Sequence, residues 1–188
     1  MVFFYLGGRI DHAHHFNNPY RALDETLQLE AAVRAAVNRA DLLLVTADHG
    51  HVMTVGGHGA PREHPILGTD TKTSDVDSLP YTSILYGSGP GYGVRPVLGT
   101  EEPHTDRDRV HAAAAPKQWA THGAEDVPVY AMGPLATVLF SGTFEQSYIP
   151  HAVAYIACLG EQAARCEEQH NYTQPRVCLN LNLSIIFS

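Results

Sequence analysis

Two stretches decide the fold: Val2-Phe-Phe-Tyr-Leu-Gly-Gly-Arg-Ile-Asp-His-Ala-His-His15 and Leu42-Leu-Leu-Val-Thr-Ala-Asp-His-Gly-His51. Each opens with a continuous apolar run, lacks the alternation of a half-exposed strand, and ends in Gly, Asp and His. That pattern predicts buried strands, over Val2 to Leu6 and Leu42 to Ala47, with polar residues at their ends. The first reads as a central strand. Between them, Asn18-Pro19 supplies a cap and a first-turn proline, and Arg21 to Arg39 carries apolar residues at positions 23, 27, 33 and 37, a helical spacing. Strand, helix and strand make a βαβ unit, and open α/β sheets bind their ligands at the carboxyl ends of the strands.

Outward from this unit the chain is less regular. A Gly-, Pro-, Thr- and Asp-rich stretch from Gly56 to Pro80 precedes a short strand expected at Tyr81 to Tyr86 and the turn-rich Gly87-Ser-Gly-Pro-Gly-Tyr-Gly93. Residues 92 to 120 look like an insertion. Thr121-His-Gly123 then leads into a strand over Val127 to Met132, and Ile149 to Gly160 is expected to be a closing helix. There is no internal repeat.

The 188 residues suffice for one compact domain or a large piece of a bigger one, and 44% hydrophobic against 17% charged residues excludes a disordered polar chain. Twelve basic residues against twenty acidic ones give a net charge of −8, and only Lys72 and Lys117 are lysines, so nucleic acid is not an expected partner. Histidine is the anomaly. Twelve of them, several clustered beside Asp, point towards metal.

Asp11 and His15 are four residues apart and share one face if their segment makes a helical turn, so a carboxylate and an imidazole can grip one cation. Asp48-His49 repeats that chemistry at the next strand end, and His122 is a third imidazole set between Thr and Gly. Asp and His without Cys suit zinc in a hydrolytic site better than a structural thiolate site. The remaining histidines, at positions 12, 14, 51, 58, 64, 104, 111, 151 and 170, read as surface or hydrogen-bonded structural residues. Cys158, Cys166 and Cys178 lie near the sequons at Asn171 and Asn182, as in secreted or cell-surface proteins, although no signal peptide is visible in the chain. The apolar stretch from Leu179 to Ser188 is short and interrupted by Asn, a poor membrane segment.

The strings Gly7-Gly-Arg-Ile-Asp-His-Ala-His-His15, Val45-Thr-Ala-Asp-His-Gly-His51 and Thr121-His-Gly-Ala-Glu-Asp-Val127 together resemble the second half of an animal-type alkaline phosphatase. So do Ile84-Leu-Tyr-Gly-Ser-Gly-Pro-Gly-Tyr92, Gly133-Pro134, Glu145-Gln-Ser-Tyr-Ile-Pro-His151 and Ala157-Cys-Leu-Gly160, in the family's order, over roughly residues 3 to 166. The resemblance implies an α/β fold, a three-layer α/β/α sandwich with an incomplete sheet. It also implies a crown-like insertion over about 57–121, whose usual role is subunit contact, and a C-terminal tail over 167–188.

It further implies that Asp11, His15 and His122 hold one zinc and Asp48 and His49 a second. The second site's remaining ligands, the nucleophilic Ser that becomes a phosphoserine and the phosphate-gripping Arg match no residue of this chain. Where the family has a magnesium-ligating Glu, the chain has Leu6, and an aliphatic side chain cannot ligate Mg2+. Cys158 and Cys166 resemble a family disulfide. The implied activity is phosphate monoester hydrolysis, with this chain alone expected to be inactive. The implied setting is a homodimer at the cell surface, held to the membrane by a lipid anchor. The alternatives are a non-catalytic zinc-binding fragment or pseudoenzyme, and a cell-surface binding module.

Overall fold

The computed structural model of the chain describes residues 2–56, 67–70, 72–94, 107–164 and 183–187. In chain order the elements are β1 (Val2–Leu6), α1 (Arg9–His15), α2 (Pro19–Val37), β2 (Leu42–Thr46), β3 (Gly50–His51), β4 (Met53–Val55), β5 (Ile84–Gly89), β6 (Ala113–Pro116), β7 (His122–Gly123), β8 (Val129–Met132), α3 (Ala136–Leu139), α4 (Tyr148–Ala157), a 3-10 turn (Gly160–Gln162) and β9 (Leu183–Phe187). They divide into two compact units. One comprises Met1–Leu6, Ala31–Thr46 and Pro128–Phe187, the other Gly7–Glu30 and Ala47–Val127. The architecture is α/β, with helices and three small sheets.

The first unit is built on a sheet of order β1-β9-β2-β8, in which β9 runs parallel to both β1 and β2 while β8 is antiparallel to β2. Leu42 and Leu44 are fully buried and cluster with Val153 and Ile156 of α4. Leu43, on the opposite face, is buried as well, so β2 is covered on both sides, as its unbroken apolar run requires. Truncating Leu44 to Ala would cost about 2–5 kcal/mol through lost transfer energy and the cavity left behind.

Three expectations are corrected here. β1 is at the edge of the described sheet instead of its centre, and Leu6 at its end is 70% exposed. The C-terminal apolar stretch contains a strand, β9, that supplies the hydrogen-bonding partner between β1 and β2. A five-residue stretch with four apolar residues has the length of a strand and satisfies its backbone groups by pairing. Among the described residues no helix is long and apolar enough to cross a membrane. α4 also ends earlier than its sequence suggests. Cys158 takes up a left-handed conformation after Ala157, and Leu159 N donates to Ala154 O, closing the helix before Gly160.

The second unit begins with α1, the helical turn on which the Asp11 and His15 spacing depends. Asn17, in the left-handed region, closes it: Asn17 N donates to His14 O and Asn18 N to Ala13 O, the paired bonds of a Schellman end. Asn18 then starts α2 by accepting Arg21 N on its side chain at 3.0 Å. Asn17 is fully buried because it organises the glycine-rich turn. Its amide donates to Ser88 O and accepts from Gly91 N, and a Cβ on Gly91 would strike the backbone oxygen of His111.

β5 starts three residues later than expected and forms the middle of the sheet β4-β5-β6, with β3 and β7 in a separate two-stranded pair. In β5, Ile84, Tyr86 and Ser88 point inward while Leu85 is exposed, the period of two that a strand imposes. Ile84 and Tyr86 cluster with Ala113 and Ala120. Thus β5 and β6, which fall inside the stretch read as a crown-like insertion, carry a core cluster of this unit. Residues 57–66, 71 and 95–106 of that stretch lie outside the described residues.

Candidate metal centre

Three segments of the second unit converge on the Asp11 carboxylate. α1 brings His15 one turn beyond Asp11, the turn before β3 brings Asp48 and His49, and the antiparallel pairing of β3 with β7 sets His51 opposite His122. From Asp11 Oδ1 the Nε2 atoms of His51, His15, His122 and His49 lie at 2.7, 3.4, 3.5 and 3.8 Å. The His15 and His122 Nε2 atoms are 3.1 Å apart. His49 Nε2 is 3.6 Å from Asp48 Oδ2, and its ring stacks on His122 with centroids 3.5 Å apart. Asp11, His49, His51 and His122 offer donor atoms all within 4.8 Å of one another.

The tautomers follow from the partners. His15 Nδ1 is 2.7 Å from Ala120 O and His49 Nδ1 is 3.2 Å from Gly50 O. A carbonyl only accepts, so Nδ1 carries the proton in both rings and Nε2 presents a lone pair to the cluster. His51 differs. Its Nε2 donates to Asp11 Oδ1 at hydrogen-bonding distance, so in this arrangement that nitrogen orients the carboxylate and presents no lone pair to the cluster.

These donors fit a cation. Zinc–ligand bonds of about 2.0–2.1 Å in tetrahedral geometry put neighbouring donor atoms about 3.3 Å apart. The mutual separations of Asp11 Oδ1, His15 Nε2 and His122 Nε2, at 3.1 to 3.5 Å, match that edge.

Burial pushes the Asp11 carboxyl upward, but the His51 hydrogen bond and the neighbouring imidazoles of His15, His51 and His122 outweigh it and leave it below its ordinary value. His51 is lowered chiefly by burial, against the opposing pull of Asp11. Burial likewise lowers His14 to about 4, and its Nδ1 meets the Tyr86 hydroxyl at 2.8 Å.

The structure therefore brings Asp11, His15, His49 and His122 together, while the contact of Asp48 is with its sequence neighbour His49. His51 joins them, although by sequence it reads as a structural histidine; its signals are the two-residue spacing from His49 and its place at the end of the string Val45 to His51. His14 and Tyr86 stand behind it, and no sequence pattern links those two. Leu6 belongs to the other unit. Cys158 follows α4, whereas Cys166, Asn171 and Asn182 lie outside the described residues.

The sequence model of the family described as alkaline phosphatase matches residues 2–159. The chain belongs to the alkaline phosphatase family. It is 49% identical over 169 residues to the tissue-nonspecific alkaline phosphatase isozyme of Gallus gallus, an overlap covering 85% of this chain and 32% of the relative. It is 44% identical to an alkaline phosphatase of Gadus morhua, over 84% of this chain and 35% of the relative, and 41% identical to a membrane-bound alkaline phosphatase of Bombyx mori, over 84% and 30%. The chain thus spans about a third of the length of these curated relatives. Alkaline phosphatases are metal-dependent, and the Asp11 cluster is this chain's candidate site for the metal.

Proposed function

We propose that the chain forms the zinc-binding portion of a phosphomonoesterase. Asp11, His15 and His122 would hold one zinc, and Asp48 and His49 would contribute to a second. The observation that carries this reading is the triangle of Asp11 Oδ1, His15 Nε2 and His122 Nε2, with edges of 3.1 to 3.5 Å. Bound zinc would supply Lewis acidity, lowering the pKa of the attacking hydroxyl or water and neutralising the leaving oxygen of a phosphate monoester. The chain's own part is to fix those donors: Ala120 O and Gly50 O set the imidazole tautomers, and His51 aims the Asp11 carboxylate.

Hydrolysis through a phosphoserine further requires a nucleophile. Ser88 commits its hydroxyl to Thr121, sharing a hydrogen bond with Thr121 Oγ1 and accepting one from Thr121 N. Because the resemblance matches no serine of this chain to that nucleophile, these 188 residues by themselves are proposed to be catalytically silent. Leu6, standing where the resemblance expects a magnesium-ligating Glu, favours a second reading, a non-catalytic zinc-binding protein.

To the same reading belong the α/β/α sandwich, the crown-like insertion with its subunit contacts and homodimer, a Cys158–Cys166 disulfide and glycosylation at Asn171 and Asn182. A cell-surface location with a lipid anchor belongs to it as well, supported by the membrane-bound relative of Bombyx mori. The test is turnover of a chromogenic aryl phosphate at alkaline pH by the chain, and by the chain mixed with the N-terminal part of a related alkaline phosphatase. Negligible turnover alone, zinc-dependent turnover in the mixture and its loss with Asp48→Ala are expected. Robust turnover by the chain alone would overturn the nucleophile argument, and an inert mixture would favour the non-catalytic reading.

A further inference from the structure

We propose that Tyr86 and His14 form an outer positioning pair for the metal centre, raising its affinity for the cation without ligating it. This rests on the ligand assignment above and concerns residues the assignment leaves unused.

Tyr86 sits in the middle strand of the sheet β4-β5-β6, paired with Met53 on one side and Ala113 on the other, and is fully buried among Ile84, Ala113 and Ala120. A Phe would fill such an apolar cluster equally well, so the phenol oxygen calls for a reason. Its partner is His14 Nδ1, at 2.8 Å and 72 residues away in the sequence. The His14 ring in turn lies against His51, with centroids 5.2 Å apart at a tilt of 34°, and His51 Nε2 donates to Asp11 Oδ1 at 2.7 Å. A continuous path thus runs from a rigid strand to the carboxylate at the hub of the cluster.

The path has a purpose because His51 is crowded by imidazoles. The rings of His15, His49 and His122 also lie within 5.6 Å of it, and these are the ligand candidates. His14 is the neighbour of His51 that lies outside the ligand assignment, and the Tyr86 hydroxyl ties its Nδ1 to the core, so it can hold the His51 ring in the plane that points Nε2 at Asp11. Partners one step removed from a metal ligand typically change metal affinity 10- to 100-fold. Tyr86 acts through two intervening residues, so a smaller effect, about 3- to 10-fold, is expected.

The experiment is zinc affinity by chelator competition on the folded chain, for wild type, Tyr86→Phe, His14→Leu and the double variant, with His122→Ala as the control for the ligand assignment. Tyr86→Phe deletes only the oxygen and keeps the ring packed. It should weaken zinc binding about 3- to 10-fold in the wild-type background and have no further effect once His14 is Leu. Unchanged affinity in Tyr86→Phe, or an equal loss in both backgrounds, overturns the positioning role while leaving the ligand assignment standing. Unchanged affinity in His122→Ala overturns the assignment itself and the inference with it.

Discussion

His51 and His122 face each other across the β3–β7 pair, yet removing them should weaken zinc binding by different amounts. In the proposed assignment His122 is a ligand, and its side chain is 48% exposed, so His122→Ala would delete that ligand and leave no buried group behind. Structural zinc sites bind with about 10–16 kcal/mol over four ligands, so one ligand is worth about 3 kcal/mol, or two to three powers of ten in affinity. His51 donates one hydrogen bond to a carboxylate from a side chain that is 5% exposed. A charge-assisted bond of that kind is worth about 1.5–3 kcal/mol, one to two powers of ten. Chelator competition on both alanine variants should therefore rank His122→Ala as the more damaging. His51→Gln should recover much of what His51→Ala loses, because an amide N–H can still donate to Asp11. If His51→Ala is as damaging as His122→Ala and Gln restores nothing, His51 ligates the cation, and the site is the set Asp11, His49, His51 and His122.

Two further outcomes follow from burial. His111 is fully buried and is lowered to about 4, first by burial and then by the charge of Arg109, against an unfolded value of about 6.5. Its native pKa is depressed, so its contribution is complete above about pH 6.5 and is lost as the pH falls towards 4. The loss totals about 3 kcal/mol, and urea midpoints across that window should fall less steeply in His111→Leu than in wild type; equal slopes would place the titration elsewhere. Leu6→Glu, at an exposed strand end, should change stability by no more than about 0.5 kcal/mol and create no magnesium-dependent rise in melting temperature. A rise on adding Mg2+ would reveal further ligands for that ion.

What the amino-acid sequence determined by itself is local. An unbroken apolar run makes Leu42–Thr46 a strand covered on both faces, because leucines three in a row have no polar face to turn to water. The four-residue spacing of Asp11 and His15 sets them on one face once α1 forms, since a helix repeats every 3.6 residues. The residue types at Asp48, His49 and His122 name the chemistry, because oxygen and imidazole donors suit a narrow range of ions.

Tertiary structure decided the rest, because those relations span distances over which no periodicity survives. His51 reaches Asp11 across 40 residues, His14 reaches Tyr86 across 72, and His15 takes its tautomer from Ala120 across 105. Each bond exists only after strand pairing has closed the intervening loops. The same holds for β9. Its sequence reads as a C-terminal tail, and it becomes a strand where β1 and β2 each present an open row of backbone donors and acceptors to receive it.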